Sequence, residues 1–371
     1  MSESESARIA DEEPIASAAR LAALLQDLGS DTHVAVDTEF LRERTYFPRL
    51  CLVQLAGARS LALVDALADV ALEPLHQFLA DRRRTKVLHA AHQDLEIFAH
   101  ATGAVPGPIF DTQLAASLVG FAPQIGFGDL VREVLGVPLE KGHARTDWTR
   151  RPLSAAQLQY ARDDVRYLPP LANALGERLE QAGRAGWFAE EAGVAEDLSL
   201  YVQDPATAWE RLKWVHALDG KPAAAARRLA AWREERALRL DRPRGWILSD
   251  AAISELVDRM PGDADELAGL AELPPAVRSK CGAELLELIA TAIGAAGETR
   301  REGGRLDPQQ LALVKRLADE TRRIATELKL HPEVLAPQKD LRALVRGERD
   351  LRVLKGWRRG VAGDALMALA G

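Results

Sequence analysis

Residues 33–40 read HVAVDTEF, a short run of β-branched and small apolar residues that ends on two acids two positions apart. Alternation along a strand puts Asp37 and Glu39 on one face, with Val36 and Thr38 pointing to the other. Two further β-rich runs follow across polar breaks, Leu50–Ala56 (LCLVQLA) and Ser60–Val64 (SLALV), and with the first they read as an antiparallel meander. Upstream, PIASAARLAALLQDLG reads as an amphipathic helix stopping at Gly29, behind a polar tail over residues 1–14 that reads as disordered. Downstream come a helix over Leu72–Asp81, a strand over Thr85–His89, and helices over Gln93–His100, Asp111–Val119, Gly128–Leu135 and Ser154–Gln181. Strands first and helices enough for both faces predict a mixed α/β sheet.

The acids define the chemistry. A lone D-x-E on a strand also suits a solvated face, but it has company. Tyr160 and Asp164 lie four apart in YARDDVRYL, so they share a helix face while Arg162 and Asp163 point elsewhere. Asp94 follows the strand end at His89, near a helix start where a carboxylate can face inward. Such a set of carboxylates suits two hard divalent cations, Mg²⁺ or Mn²⁺, which favour octahedral oxygen coordination. Left without cations the acids repel and raise one another's pKa. Asp111 in FDTQ reads as a helix N-cap, and His89 and His92 read as structural or supporting residues, because no third nitrogen or sulfur ligand follows at helical spacing.

VDTEF, LHAAHQDLEIF, FDTQLAASLVG, RTDWTRRPL and QYARDDVRYL together resemble the ribonuclease D family, 3′-5′ exoribonucleases of the DEDD superfamily, in its tyrosine branch. The resemblance covers Val34 to about Leu179, with the family's R-x-R-T-Y-Y-P written here as RERTYFP. It implies an RNase H-like exonuclease domain, with Asp37, Glu39, Asp94 and Asp164 as ligands of two divalent metal ions and Tyr160 orienting the attacking water. Asp163, next to the expected ligand, is excluded by both the motif spacing and helical geometry. Lys141, Arg145 and Trp148 are candidate substrate contacts or loop staples, and Phe40 a candidate stacking surface for a terminal base or a core residue.

From Ala206 onward helical patterns dominate: Ala208–Ala217, Ala223–Leu240, Asp250–Arg259 and Ala283–Ala292. Residues 206–245 hold ten Lys/Arg against five Asp/Glu, and 339–360 eight against three, so each is locally basic in a chain of net charge -7. Trp209, Trp214 and Trp232 interleave with the first set of cations, suited to stacking bases or to a core. The segment from Leu229 to Pro261 resembles the helicase and RNase D C-terminal (HRDC) domain, a small helical nucleic-acid-binding module. Arg244–Val257 and His331–Val345 repeat one pattern about 87 residues apart, which reads as a weak tandem duplication. The expected organisation is a tail (1–14), an exonuclease domain (15–203), a first HRDC domain (206–292), a Gly-rich linker (293–304) and a degenerate second HRDC-like domain (305–371).

Length suits two or three domains at roughly 100–200 residues each. Cys51 and Cys281 form no metal-binding cluster, and no apolar window reaches the roughly 18 residues of a membrane span. The cysteine and apolar-window readings point to a cytoplasmic protein with no membrane partner, and the family resemblance implies a monomer acting on RNA: tRNA precursors and structured RNA with a 3′ extension. A DNA 3′-5′ exonuclease and a catalytically dead RNA-binding adaptor are the rival readings. The presence of the full acid set disfavours the adaptor.

Overall fold

The computed structural model describes residues 13–139, 146–294 and 306–371. Most of the expected tail and of the expected linker lies outside the described residues. Five strands, β1 (His33–Leu41), β2 (Arg49–Ala56), β3 (Leu61–Asp65), β4 (Thr85–Leu88) and β5 (Ile109–Asp111), form one sheet in the order β3-β2-β1-β4-β5. β2 and β3 pair antiparallel with Leu52 opposite Asp65. β1 pairs parallel with β4, Ala35 opposite Val87, and β4 with β5, Leu88 opposite Asp111. The sheet is therefore mixed, as anticipated. β5 was not anticipated, because three residues leading straight into a helix cap are too few to show alternation.

Eight helices accompany these strands: α1 (Ala18–Asp27), α2 (Glu73–Ala80), α3 (His92–Thr102), α4 (Thr112–Leu118), α5 (Phe127–Leu135), α6 (Ala155–Arg166), α7 (Leu168–Gln181) and α8 (Ala185–Ala195). β1 is buried on both faces, as a central strand covered by two layers must be. Val34 and Val36 pack with Leu21 of α1, Leu75 of α2 and Leu95 of α3. Ala35, facing the other way, packs with Val165 of α6 and Leu168 of α7. The single helix expected over Ser154–Gln181 is two helices. Pro169 and Pro170 lack N–H donors and fit only a first turn, so the chain breaks at Tyr167 and starts α7 afresh.

Two compact units form among the described residues, one from the spans 13–41, 50–139, 146–201 and 306–371, the other from 42–49 and 202–294. The second unit holds α9 (Gly220–Leu240), α10 (Arg244–Ile247), α11 (Asp250–Arg259), α12 (Ala264–Ala268) and α13 (Pro275–Gly294) around Leu229, Leu256 and Leu285. The α-helix expected over Ala208–Ala217 is instead two 3₁₀ stretches, Pro205–Arg211 and Lys213–Ala217. Leu212 between them leaves helical geometry, and the local run of Trp, Thr and Val favours an α-helix poorly. Trp209, Trp214 and Trp232 lie half-buried against this core. Trp246, 57% exposed, is the open aromatic of the unit.

The last segment folds as α14 (Pro308–Leu328), α15 (Pro332–Leu335), α16 (Gln338–Val345), α17 (Gly356–Arg358) and α18 (Asp364–Ala370). Its element order repeats that of α9 to α11. A 21-residue helix ends on a left-handed residue, Asp241 or Lys329, and a four-residue helix and a further helix follow. Yet Leu317, Ile324 and Leu335 share a core with Ala115, Leu130 and Leu171, inside the first unit. Trp357 stacks on Trp187 at 4.2 Å between ring centroids.

Candidate active site

The layering of β1 decides which side chains meet. Asp37 and Glu39 follow Ala35 on the face that packs against α6 and α7, and α6 presents Asp164 one residue before the buried Val165. One carboxylate oxygen each from Asp37, Glu39 and Asp164 lie within 4.8 Å of one another. α6 itself is well started: Ser154 and Gln157 cap each other's backbone amides in a capping box. Asp163 turns away and accepts from Gln159 at 2.9 Å and pairs with Arg166 at 3.4 Å.

Asp94 arrives from the opposite layer. Thr38 points to the face that packs on α3, and its hydroxyl donates to Asp94 Oδ1 at 2.5 Å. Asp94 is buried and stands outside the close trio, within electrostatic reach of Asp37 and Asp164. Asp111 caps α4 by accepting from the amides of Gln113 and Leu114, and it also accepts from those of Ala90 and Ala91. Ala90 has φ 54°, so this carboxylate holds the turn that delivers α3 and Asp94. Its expected role as a cap is observed.

The electrostatics are those of unsatisfied like charge. Burial, then Asp37, Asp164 and Asp94, pushes Glu39 up to about 10. Burial raises Asp164 to about 7, against the pull of a hydrogen bond from Tyr160. Asp37 is raised well above the carboxylate range by burial and by Asp164, and Asp94 by burial and by Asp37. Burial and the surrounding acids hold the Tyr160 phenol above its ordinary range, so the hydroxyl stays protonated. A compact all-oxygen donor set that resists its own ionisation fits a hard divalent cation.

Two residues missed in the sequence support the acids. Gln54, fully buried on β2, donates to Asp37 Oδ2 at 3.3 Å, and Thr38 fixes Asp94. The signal for Gln54 was a lone amide inside the otherwise apolar LCLVQLA. His89 bonds Thr112 Oγ1 at 2.9 Å and the Ile125 carbonyl at 3.1 Å, and burial lowers its pKa. It is structural.

Of the expected substrate contacts, Phe40 is half-buried at the end of β1. Lys141 and Arg145 lie outside the described residues. Trp148 is corrected: it is 2% exposed and buried among Cys51, Leu52 and Ala161, with its ring 6.2 Å from that of Tyr160. Arg151 clamps this segment inward through a two-pronged pair with Asp65, at 2.5 and 2.6 Å, and a bond to the Cys51 carbonyl. Trp148 therefore backs Tyr160 and has no face left for a nucleotide.

This combination, a mixed sheet carrying D-x-E on its central strand and Tyr-x-x-x-Asp on a covering helix, defines a 3′-5′ exonuclease. The family model described as 3′-5′ exonuclease matches residues 13–180, and the HRDC domain model matches 223–289. Ribonuclease D of Granulibacter bethesdensis is 40% identical over 368 residues, spanning 94% of this chain and 90% of that protein. Ribonuclease D of Acidiphilium cryptum is 40% identical over 360 residues, spanning 95% and 91%. The crystal structure of Escherichia coli RNase D, described as an exoribonuclease involved in structured RNA processing, superposes with TM-score 0.85 at 30% identity over 97% of this chain and 98% of that one. The chain belongs to the ribonuclease D family.

Proposed function

We propose that this chain is a divalent-metal-dependent 3′-5′ exoribonuclease that hydrolyses RNA phosphodiesters one at a time from a free 3′ end, releases nucleoside 5′-monophosphates and acts in tRNA 3′-end maturation. The observation that carries the reading is the convergence of Asp37, Glu39 and Asp164 within 4.8 Å, with Tyr160 bonded to Asp164. Asp37, Glu39, Asp94 and Asp164 would hold two Mg²⁺ or Mn²⁺ ions. When bound, such a pair supplies activation of water and neutralisation of charge on the scissile phosphate.

The chain's own residues do the positioning. Tyr160 donates a hydrogen bond to Asp164, which leaves its own oxygen lone pairs free to accept from a water and orient it for in-line attack. Thr38 and Gln54 hold Asp94 and Asp37 in place, so the carboxylates need not reorganise as substrate arrives. Phe40 would stack on a terminal base, and Lys141 and Arg145 would contact substrate phosphate or staple their loop.

The exonuclease domain is assigned to residues 15–203 and the HRDC domain to 206–292. Residues 305–371 are read as a second, degenerate HRDC-like copy, supported by the repeated order of helices. The HRDC modules would grip the body of a structured RNA without base readout. A cytoplasmic location is proposed from the two buried free cysteines, which suit a reducing compartment, and the monomeric state from the family resemblance alone. The test is incubation with matched 3′-extended tRNA and single-stranded DNA in Mg²⁺, Mn²⁺ or EDTA. A metal-dependent ladder shrinking from the 3′ end of RNA alone supports the reading; equal DNA degradation, or binding with no ladder, removes it.

A further inference from the structure

The second unit contains a cleft of about 430 Å³ between the 3₁₀ stretch at Arg211, helix α9 and the start of α11. Three guanidinium groups line it: Arg211, Arg233 and Arg244. Two acids face them. Glu234, 1% exposed at its side chain, takes Arg211 at 3.1 Å and Arg244 at 2.5 Å, while Asp250, 69% exposed, takes Arg233 at 2.5 Å. Three cations against two carboxylates leave one positive charge over.

Arg233 carries the stronger sign of an absent partner. The residue is 4% exposed, its Nη1 is bound to the Leu248 carbonyl and to Asp250, and its Nε has no hydrogen-bond partner among the described residues. A buried guanidinium with an unmet N–H is expensive unless an anion compensates it. Ser249 and Asp250, also lining the cleft, are the N-cap and first residue of the ten-residue α11, whose positive end adds to the same field. Tyr46 secures the wall: its hydroxyl accepts from Arg244 at 2.8 Å and bonds Glu234.

The geometry points to a phosphate-binding subsite here, taking one backbone phosphodiester of the RNA whose 3′ end is hydrolysed, with Arg211 supplying an exposed guanidinium, Arg244 a half-buried one held by Glu234 and Tyr46, and Arg233 the buried charge. Arginine is suited to this because its planar fork meets two phosphate oxygens at once. The inference rests on the exoribonuclease reading for its ligand but not for the anion site itself. Nucleotide phosphate and inorganic phosphate share the chemistry, and the experiment separates them.

Gly245 makes a clean test possible. It sits on the cleft wall, a Cβ there would meet nothing within 4 Å, and its φ is not in the left-handed region. Gly245→Leu should therefore fill the cleft without disturbing the fold or its charges, and Arg211→Ala removes an exposed cation. Binding of a structured 3′-extended RNA to the full chain should weaken roughly 5–20-fold in each variant. For Arg211→Ala the slope of log K against log salt should fall by about one. Hydrolysis of a short unstructured RNA should be unchanged in both. Wild-type affinity and slope in both variants would overturn the subsite. Inorganic phosphate titrated into the wild-type protein should bind weakly, and both variants should lose that binding. If wild type hydrolyses no RNA yet binds phosphate in this variant-sensitive way, the exoribonuclease reading falls and the anion site stands. If inorganic phosphate binds equally to wild type and variants, the cleft is not its site and the inference fails.

Discussion

Two buried acidic centres in the first unit make opposite use of the same chemistry. At the end of β1, Asp37, Glu39 and Asp164 crowd together, and burial and mutual repulsion drive all three carboxyls upward in pKa. On α8, Glu191 is withdrawn further from water, 6% exposed, but is surrounded: Trp357 Nε1 donates to it at 2.9 Å, and Arg352 and Arg358 pair with it. Burial pushes Glu191 up as well, but Arg358 and Arg352 prevail and hold its carboxyl below the usual range. The compensated acid ties the C-terminal segment to the rest of its unit. The uncompensated acids carry a standing cost, which a protein retains where a cation is to be bound.

The sharpest way to break the contrast is Asp37→Asn. Hydrolysis of 3′-extended RNA should fall by on the order of 10³-fold or more, while the melting temperature of the metal-free protein should hold or rise, as followed by circular dichroism. A loss of folding together with activity would place Asp37 among the structural acids.

Tyr160→Phe should reduce kcat by roughly 10²-fold and leave RNA affinity nearly unchanged, because only the water-orienting hydroxyl is lost. Equal rates would return Tyr160 to core packing against Trp148. For the compensated centre the expectation inverts. Glu191→Ala strands the buried Arg358 and should destabilise the chain by about 3 kcal/mol or more in denaturant titration, with turnover of short RNA by the folded fraction maintained.

The smallest effect is in pH, and the two centres should respond with opposite sign. Asp164, raised to about 7, favours the fold while protonated, so its contribution is full in acid and is lost as pH rises through about 7. Glu191, lowered, contributes above the ordinary glutamate range and loses its contribution in acid. The melting temperature of metal-free protein should thus drop by a few degrees between about pH 5 and 8. Asp164→Asn should flatten that drop, and Mn²⁺ affinity measured by calorimetry should rise over the same range. A wild-type profile that rises with pH without metal would contradict the uncompensated site.

Much of the candidate site was legible because it is written in local periodicity. D-x-E on a strand and Tyr-x-x-x-Asp on a helix each force two groups onto one face. Gln54 and the role of Thr38 were not legible, since each acts across elements distant in sequence. Trp148 shows the same limit from the other side: an aromatic beside basic residues reads equally as a nucleotide contact or a loop staple, and only its burial and the Arg151–Asp65 clamp show it turned inward.

The two basic helical segments carry the lesson furthest. Their sequences predict the same element order, and both form it. In the first segment the arginines line an open cleft; in the last Arg352 and Arg358 are consumed by Glu191. The amino-acid sequence alone determined most element types, shared faces and the family's acid set, because these depend on neighbours within a few residues. Which faces met, which acids found cations and which cations stayed open was decided only by tertiary packing, because apolar contacts between remote segments select the partners.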